Sequence, residues 1–246
     1  MVTMSRCSSL VAAVLIFLLN MHTGNHSCAA STDFKPCPFP NLTAAVARFS
    51  RVIQFKTVSD LTTSNHVRYP EEFSKMDAFL GAAYPEVWQQ LKVEKAGVDS
   101  LSYLITWPGS QPQLPPALFV SHFDVVPVPE DSYKDWVHPP FSGAVADGYI
   151  WGRGTLDVKV GAVGLLEAAT ALLHEGFQPQ RTLVFGFGHD EEVGGGKGAA
   201  HLAQLLSSRV PLLDFVWDEG AGVAVGGVNP FITEPVALVA TSERVT

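Results

Sequence analysis

Very few cysteines, few charged residues and no basic block mark this 246-residue sequence, and each scarcity excludes something. Only three cysteines occur, Cys7, Cys28 and Cys37, and two of them fall in a segment that reads as removable. A lone Cys37 provides no disulfide framework, so stability must come from an apolar core. Charged residues make up 16% and the formal net charge is −8, with no cluster of Lys or Arg. That balance excludes nucleic acid as the principal partner, because phosphate binding needs grouped cations. No G-x-G-x-x-G or Walker pattern follows Gly152 and Gly154, which read as turn glycines and not as a phosphate cradle. No apolar run approaches the roughly 20 residues of a membrane-crossing helix. The longest at the N-terminus is LVAAVLIFLL (10–19).

That run has Arg6 before it and polar NMHTGNHSCAA (20–30) after it, with small residues at its end. The pattern is that of a secretory signal peptide over 1–30, leaving no stable membrane span once cleaved. An uncleaved signal-anchor is the alternative. Entry into the secretory route would make Asn41, in NLT, a glycosylation acceptor. It would also place the protein outside the cell or in a vacuolar or lysosomal lumen.

Hydrophobic residues amount to 47%, enough for a sizeable core. After the proline-rich lead-in STDFKPCPFP (31–40), apolar residues recur at helical spacing over 42–57 and 70–84. Strand-like runs follow at 91–97, 101–107 and 117–123, the last two separated by the turn-rich GSQPQLPP (109–116). Beyond an irregular stretch (128–148), the spacing predicts a helix over 158–176, a buried strand over 181–188 and a helix over 197–209. Strands at 212–218 and 235–241 complete the pattern. Alternation of this kind predicts an α/β fold: helices layered on both sides of a mostly parallel sheet. In open sheets of this class, ligands gather beyond the carboxyl ends of the strands.

Acids and an imidazole recur at those ends. FVSHFD closes one strand with His122 and Asp124, and WGRGTLD leads to Asp157 at the head of the long helix. FGFGHDEE closes another strand with Glu191 and Glu192, and FVWDEG ends with Asp218 and Glu219. Burying so many unpaired carboxylates costs several kcal/mol each, so a compensating cation is expected. Carboxylate and imidazole without thiolate suit Zn²⁺, and the number of acids suits two ions roughly 3.5–4 Å apart better than one. Neighbouring Glu191 and Glu192 can reach one site only if the chain turns after the strand, a freedom that Gly194, Gly195 and Gly196 supply.

With SHFDVVPV, PPFSG…DGYIWGRGTLDVK, GHDEEVGG and VWDEG in this order, the chain resembles the M20 metallopeptidases from about residue 42 to 242. The similar branch is that of carboxypeptidase S and Gly-Xaa carboxypeptidase, which includes secreted enzymes acting on N-fatty-acyl amino acids. Intervals of 35 residues (122 to 157), 34 (157 to 191) and 26 (192 to 218) make the set specific where any one motif is weak. The resemblance implies a zinc-exopeptidase-like three-layer domain from residue 31 onward. It implies that His122 and Asp218 bind one zinc, Glu192 the other, and Asp157 both. Asp124 would orient His122, and Glu191 would be the general base of a hydrolysis that uses a dizinc-activated water.

The implied reaction cleaves the amide bond next to a C-terminal amino acid in small peptides. An aminoacylase-like hydrolase of N-acyl amino acids is the alternative. A secreted, catalytically dead metal-binding or interaction protein is the rival of another class. The family also has a further downstream histidine and an inserted lid that carries dimer contacts. No histidine follows His201 here, and the sequence ends at VATSERVT. It is therefore expected to be an N-terminal piece with an incomplete catalytic domain, weakly active or inactive alone, with any homodimer formed through the lid. Other residues read as structural. His66, His174 and His201 are expected at the surface, His138 in a loop and His189 packed near the site, with Trp136, Trp151 and Trp217 more core than platform.

Overall fold

The computed structural model describes residues 41–219, together with the isolated two-residue strands Val2–Thr3, Val223–Ala224 and Val236–Ala237. Apart from those strands, the expected signal peptide (1–30) and the expected strand over 235–241 lie outside the described residues. Among the described residues, no helix is long and apolar enough to cross a membrane.

Helix α1 (Leu42–Ile53) begins where the Asn41 side chain accepts the Ala44 N–H at 3.0 Å, and it buries Phe49, Val52 and Ile53. It stops four residues short of the sequence expectation. Gln54 folds its N–H back to the Arg51 carbonyl, and the chain then runs out along the end of a strand. Helix α2 (Pro70–Ala83) has Pro70 at its first position and Glu71 and Glu72 in its first turn, both favourable there. Pro85 then starts a short α3 (Pro85–Gln90) that the apolar spacing did not separate from α2. Tyr84 closes one helix and opens the next.

Five strands form the sheet: β1 (Lys92–Ala96), β2 (Ser102–Trp107), β3 (Ala117–His122), β4 (Leu183–Gly188) and β5 (Phe215–Trp217). Their order is β1-β2-β4-β3-β5. β2 runs antiparallel to both β1 and β4, while β4, β3 and β5 are parallel, so four of the five strands point one way. A small hairpin, Val145–Ala146 with Tyr149–Ile150, straddles the end of the stretch expected to be irregular (128–148).

Helix α4 (Lys159–His174) is buried along most of its length and packs on β3 through small residues. A Cβ at Gly161 would come within 2.8 Å of the Ser121 hydroxyl, so only glycine allows this approach. The main core joins α1 to α4 with one sheet face, where Phe119 meets Phe185 and Phe215. A smaller cluster of Leu104, Val184, Leu202 and Leu206 seats α5 (Ala199–Ser207) on the opposite face. Helices on both faces of a mostly one-directional sheet make the three-layer α/β arrangement. The carboxyl ends of β3, β4 and β5 share one rim.

Two charged groups are buried in α4. Glu167 receives Arg48 of α1 through two bonds, at 2.5 and 2.6 Å, and the Tyr84 hydroxyl at 2.9 Å. Lys159, fully buried, donates its Nζ to the carbonyls of Val52 (3.2 Å) and Phe55 (2.8 Å) at the end of α1. Its surroundings draw its pKa down to about 7, chiefly through burial.

Candidate metal centre and catalytic rim

The last residue of β3, His122, is almost fully buried and aims its Nε2 at three carboxylates. Asp157 Oδ1 lies 3.2 Å away, Glu219 Oε1 3.4 Å and Glu191 Oε2 3.5 Å. The other ring nitrogen, Nδ1, stands 3.1 Å from the main-chain oxygen of Asp124 and 3.3 Å from its Oδ1. Asp124 has no exposed surface, and its carboxylate does double duty. Its Oδ1 accepts the Glu191 N–H at 3.0 Å and its Oδ2 the Glu192 N–H at 3.1 Å. Asp124, two residues past the end of β3, therefore braces the histidine and holds the turn that follows β4.

That turn is built as the adjacent glutamates require. Glu191–Val193 form one 3-10 turn, and Gly194 and Gly195 follow with φ of +94° and +68°. Both are backbone states that L side chains rarely adopt. Glu191 thereby reaches His122, while the Glu192 carboxylate accepts the Val126 N–H at 3.2 Å.

Electrostatically the rim is overloaded with negative charge. Burial and the charges of Asp157 and Asp124 push Glu192 up to about 7. Glu191 and Glu219 are raised by burial and by neighbouring carboxylates, with His122 opposing. Burial pulls His122 down, but the hydrogen bond and charge of Asp124, helped by Glu219 and Glu191, prevail and lift it to about 9.

These residues fit a cation. An imidazole nitrogen carries at most one hydrogen. If Nδ1 holds the hydrogen and donates to Asp124, the Nε2 lone pair faces three carboxylates with nothing between them. Only a positive charge at that point, a proton or a metal ion, makes the arrangement reasonable. His122, Asp157 and Glu219 each offer one atom, all within 4.8 Å of one another.

Of the residues expected from sequence, His122, Asp124, Asp157 and Glu191 thus meet directly. Glu192 sits on the same rim beside Asp157, outside that three-atom group. Asp218 follows β5 and turns its Oδ1 back onto the Glu219 N–H at 2.8 Å, which brings Glu219 inward. Glu219, one of the acids at the strand ends to which the family resemblance assigns no role, is thus part of the group. His189 is buried near the site as expected, between the Ser102 hydroxyl (2.6 Å) and the Asn65 carbonyl (3.2 Å). His174 and His201 are exposed. His66 corrects the expectation of a surface histidine: it is 13% exposed, with Nδ1 2.8 Å from Asp190 Oδ2. Its partner lies 124 residues away in a segment with no periodicity to announce it.

From the rim a cavity of about 260 Å³ extends between α5 and the sheet. Its walls are largely apolar, with Leu118, Val120, Leu202 and Leu206 among them, and His122 and Glu191 also line it.

Residues 118–237 match the model of peptidase family M20/M25/M40. This segment is a peptidase M20 domain. Around it the chain is 38% identical over 199 residues to the probable carboxypeptidase S-like 2 of Dictyostelium discoideum, covering 80% of this chain and 37% of that protein. It is 38% identical over 192 residues to the N-fatty-acyl-amino acid synthase/hydrolase PM20D1 of Xenopus tropicalis, covering 78% and 36%. The chain therefore spans a little over a third of the length of these relatives. Among solved structures, the di-peptidase Dug1p of Saccharomyces cerevisiae superposes with a TM-score of 0.55 at 18% identity. That match covers 89% of this chain and 42% of Dug1p, a likeness of fold. The M20 domain includes β3, β4 and β5, the strands whose ends build the rim.

Proposed function

We propose that the protein is a zinc-dependent hydrolase of the amide bond next to a free C-terminal amino acid. The observation that supports this most is the convergence of three carboxylate oxygens on the single Nε2 of a buried histidine. His122 and Asp157 would hold the metal, with Glu192, Asp218 and Glu219 placed nearby to complete a centre for two ions. When bound, zinc lowers the pKa of a water and polarises a carbonyl. Asp124 keeps His122 in one tautomer by taking the hydrogen bond from Nδ1, which leaves Nε2 free to ligate. Glu191, held by its own N–H on Asp124, accepts a proton at its carboxylate and returns it to the departing amine.

Metal analysis and turnover of the full-length protein beside its Glu191→Gln variant test the reading. We expect both to carry zinc and the variant to lose turnover by about 10²–10⁴-fold. A wild-type protein that takes up no divalent ion, or a variant that hydrolyses at full rate, overturns it.

The apolar cavity favours a second reading on the acyl side of the bond. It suits an apolar acyl group better than a polar peptide, which points to N-acyl amino acids, the substrate class named for the Xenopus relative. Side-by-side kinetics on dipeptides and long-chain N-acyl amino acids separate the two. A kcat/KM that rises with chain length, and falls on Val120→Asp, supports the acyl reading.

A further inference from the structure

One hydrogen-bonded pair beside the rim, His66 with the buried Asp190, has no part in the chemistry above. Asp190, immediately before the paired glutamates, has no exposed surface. Its Oδ1 accepts the Gly198 N–H at 2.8 Å and its Oδ2 the Lys197 N–H at 2.7 Å, closing the whole loop 190–198 on itself. Its main-chain oxygen takes the Gly195 N–H at 2.8 Å. With those main-chain donors already on the carboxylate, the His66 imidazole is the remaining donor, from Nδ1 to Oδ2.

His66 belongs to a segment stitched to the end of β3. The Thr57 hydroxyl donates to the Phe123 carbonyl at 2.6 Å, and the N–H groups of Val125 and Ser59 bond across to Thr57 and Val125. The His66 carbonyl accepts the Asp60 N–H at 2.8 Å. His66 itself has a φ of 61°, uncommon for a residue with a side chain. Such states are strained and persist where the surroundings enforce them, often beside functional groups.

We propose that His66 is a positioning residue. Acting through Asp190, it ties the segment along the end of β3 to the Glu191–Glu192 turn after β4, and so fixes the separation between His122 and the two glutamates. Asp124 grips that turn from one side and the His66–Asp190 pair from the other. The inference rests on the reading that these glutamates serve a metal centre.

Three substitutions separate the tie from the backbone. His66→Asn puts an amide nitrogen where Nδ1 stands and tolerates a positive φ. His66→Gly relaxes the backbone but removes the donor, and His66→Ala does neither job. Two readouts on the purified protein apply: amide hydrogen exchange at Glu191, Glu192 and Gly198 in the metal-free state, and zinc affinity by calorimetry. The tie predicts faster exchange and roughly 10-fold or greater loss of zinc affinity in the Gly and Ala variants, with Asn close to wild type. A Gly variant as protected as wild type, or an Asn variant as damaged as Ala, overturns the proposal. Should the wild-type protein take up no zinc, the functional reading falls, while the exchange measurement still decides the tie.

Discussion

His122 and Asp124 show how one residue can be committed in two directions. The Asp124 carboxylate is spent on two main-chain N–H groups, so replacing it with Asn turns an amide NH₂ toward a donor. We expect Asp124→Asn to lower zinc affinity about 10–100-fold, measured by competition with a chelator. Metal entry must also displace protons. His122 holds its proton up to about 9 and Glu192 up to about 7 in the metal-free state. Zinc binding should therefore release a proton from His122 below about pH 9 and a second from Glu192 below about pH 7, and tighten as pH rises. Calorimetry in buffers of differing ionisation enthalpy reads that release directly. That these residues meet was legible in the sequence because four motifs, each weak alone, recur in order at strand ends, where ligands gather in sheets of this class. Glu219 was less so, since whether a residue past a strand faces inward depends on the local turn, here set by Asp218 capping its N–H. His66 left no trace, because its partner is distant in sequence and its backbone state has no composition signature.

Elements were read well where an apolar period had room to repeat, and less well at their ends. The expected strand over 212–218 is ordered as sheet only at Phe215–Trp217. Pro211 and the bond from Asp214 N–H to the Pro116 carbonyl hold the preceding residues in a turn. Helix α4 carried a hint of its buried polar ties, since a lysine in a first helical turn opposes the helix dipole and needs another purpose. The Arg48–Glu167 pair joins α1 to α4, and Glu167→Ala would leave a partly buried guanidinium and the buried Tyr84 hydroxyl without their shared acceptor. We expect a loss of about 3 kcal/mol, read from denaturant midpoints at constant slope. Gly198, ahead of α5, is tighter still. A Cβ there would come within 2.7 Å of both Asp190 Oδ1 and the Ser102 hydroxyl, and within 2.9 Å of His189 Nδ1. Gly198→Ala should therefore cost about 1–3 kcal/mol and loosen the 190–198 loop, seen as lowered Tm with faster amide exchange.

For the molecule as a whole, the metal and the fold should report on each other. A ligand bound only by the native state adds about 2.7 kcal/mol at a hundredfold excess over its Kd. Chelation should thus lower Tm by roughly 5–10 °C in a chain of this size. In the metal-free protein two buried cations then act oppositely. His122 rises from 6.5 to about 9 on folding, so its stabilising share is full below pH 6.5 and lost as pH climbs through 9. Lys159 falls from 10.5 to about 7, so its cost is full below pH 7 and relieved as pH rises toward 10.5. Between pH 7 and 9 the two slopes offset. In Lys159→Met only the falling arm remains, and metal-free stability should decline across that window.

Lys159 carries one more implication. Its ammonium donates to the carbonyls of Val52 and Phe55, groups that every amino acid possesses, and so the anchor of the Asp157 loop is blind to which side chains those positions bear. Core packing and the Arg48–Glu167 pair restrict the side chains of α1, but this anchor asks only that its final turn keep its path. A proline or an inserted residue there would instead unmoor an acid more than a hundred positions downstream, a defect visible first as weakened metal retention in a protein whose rim residues are all intact.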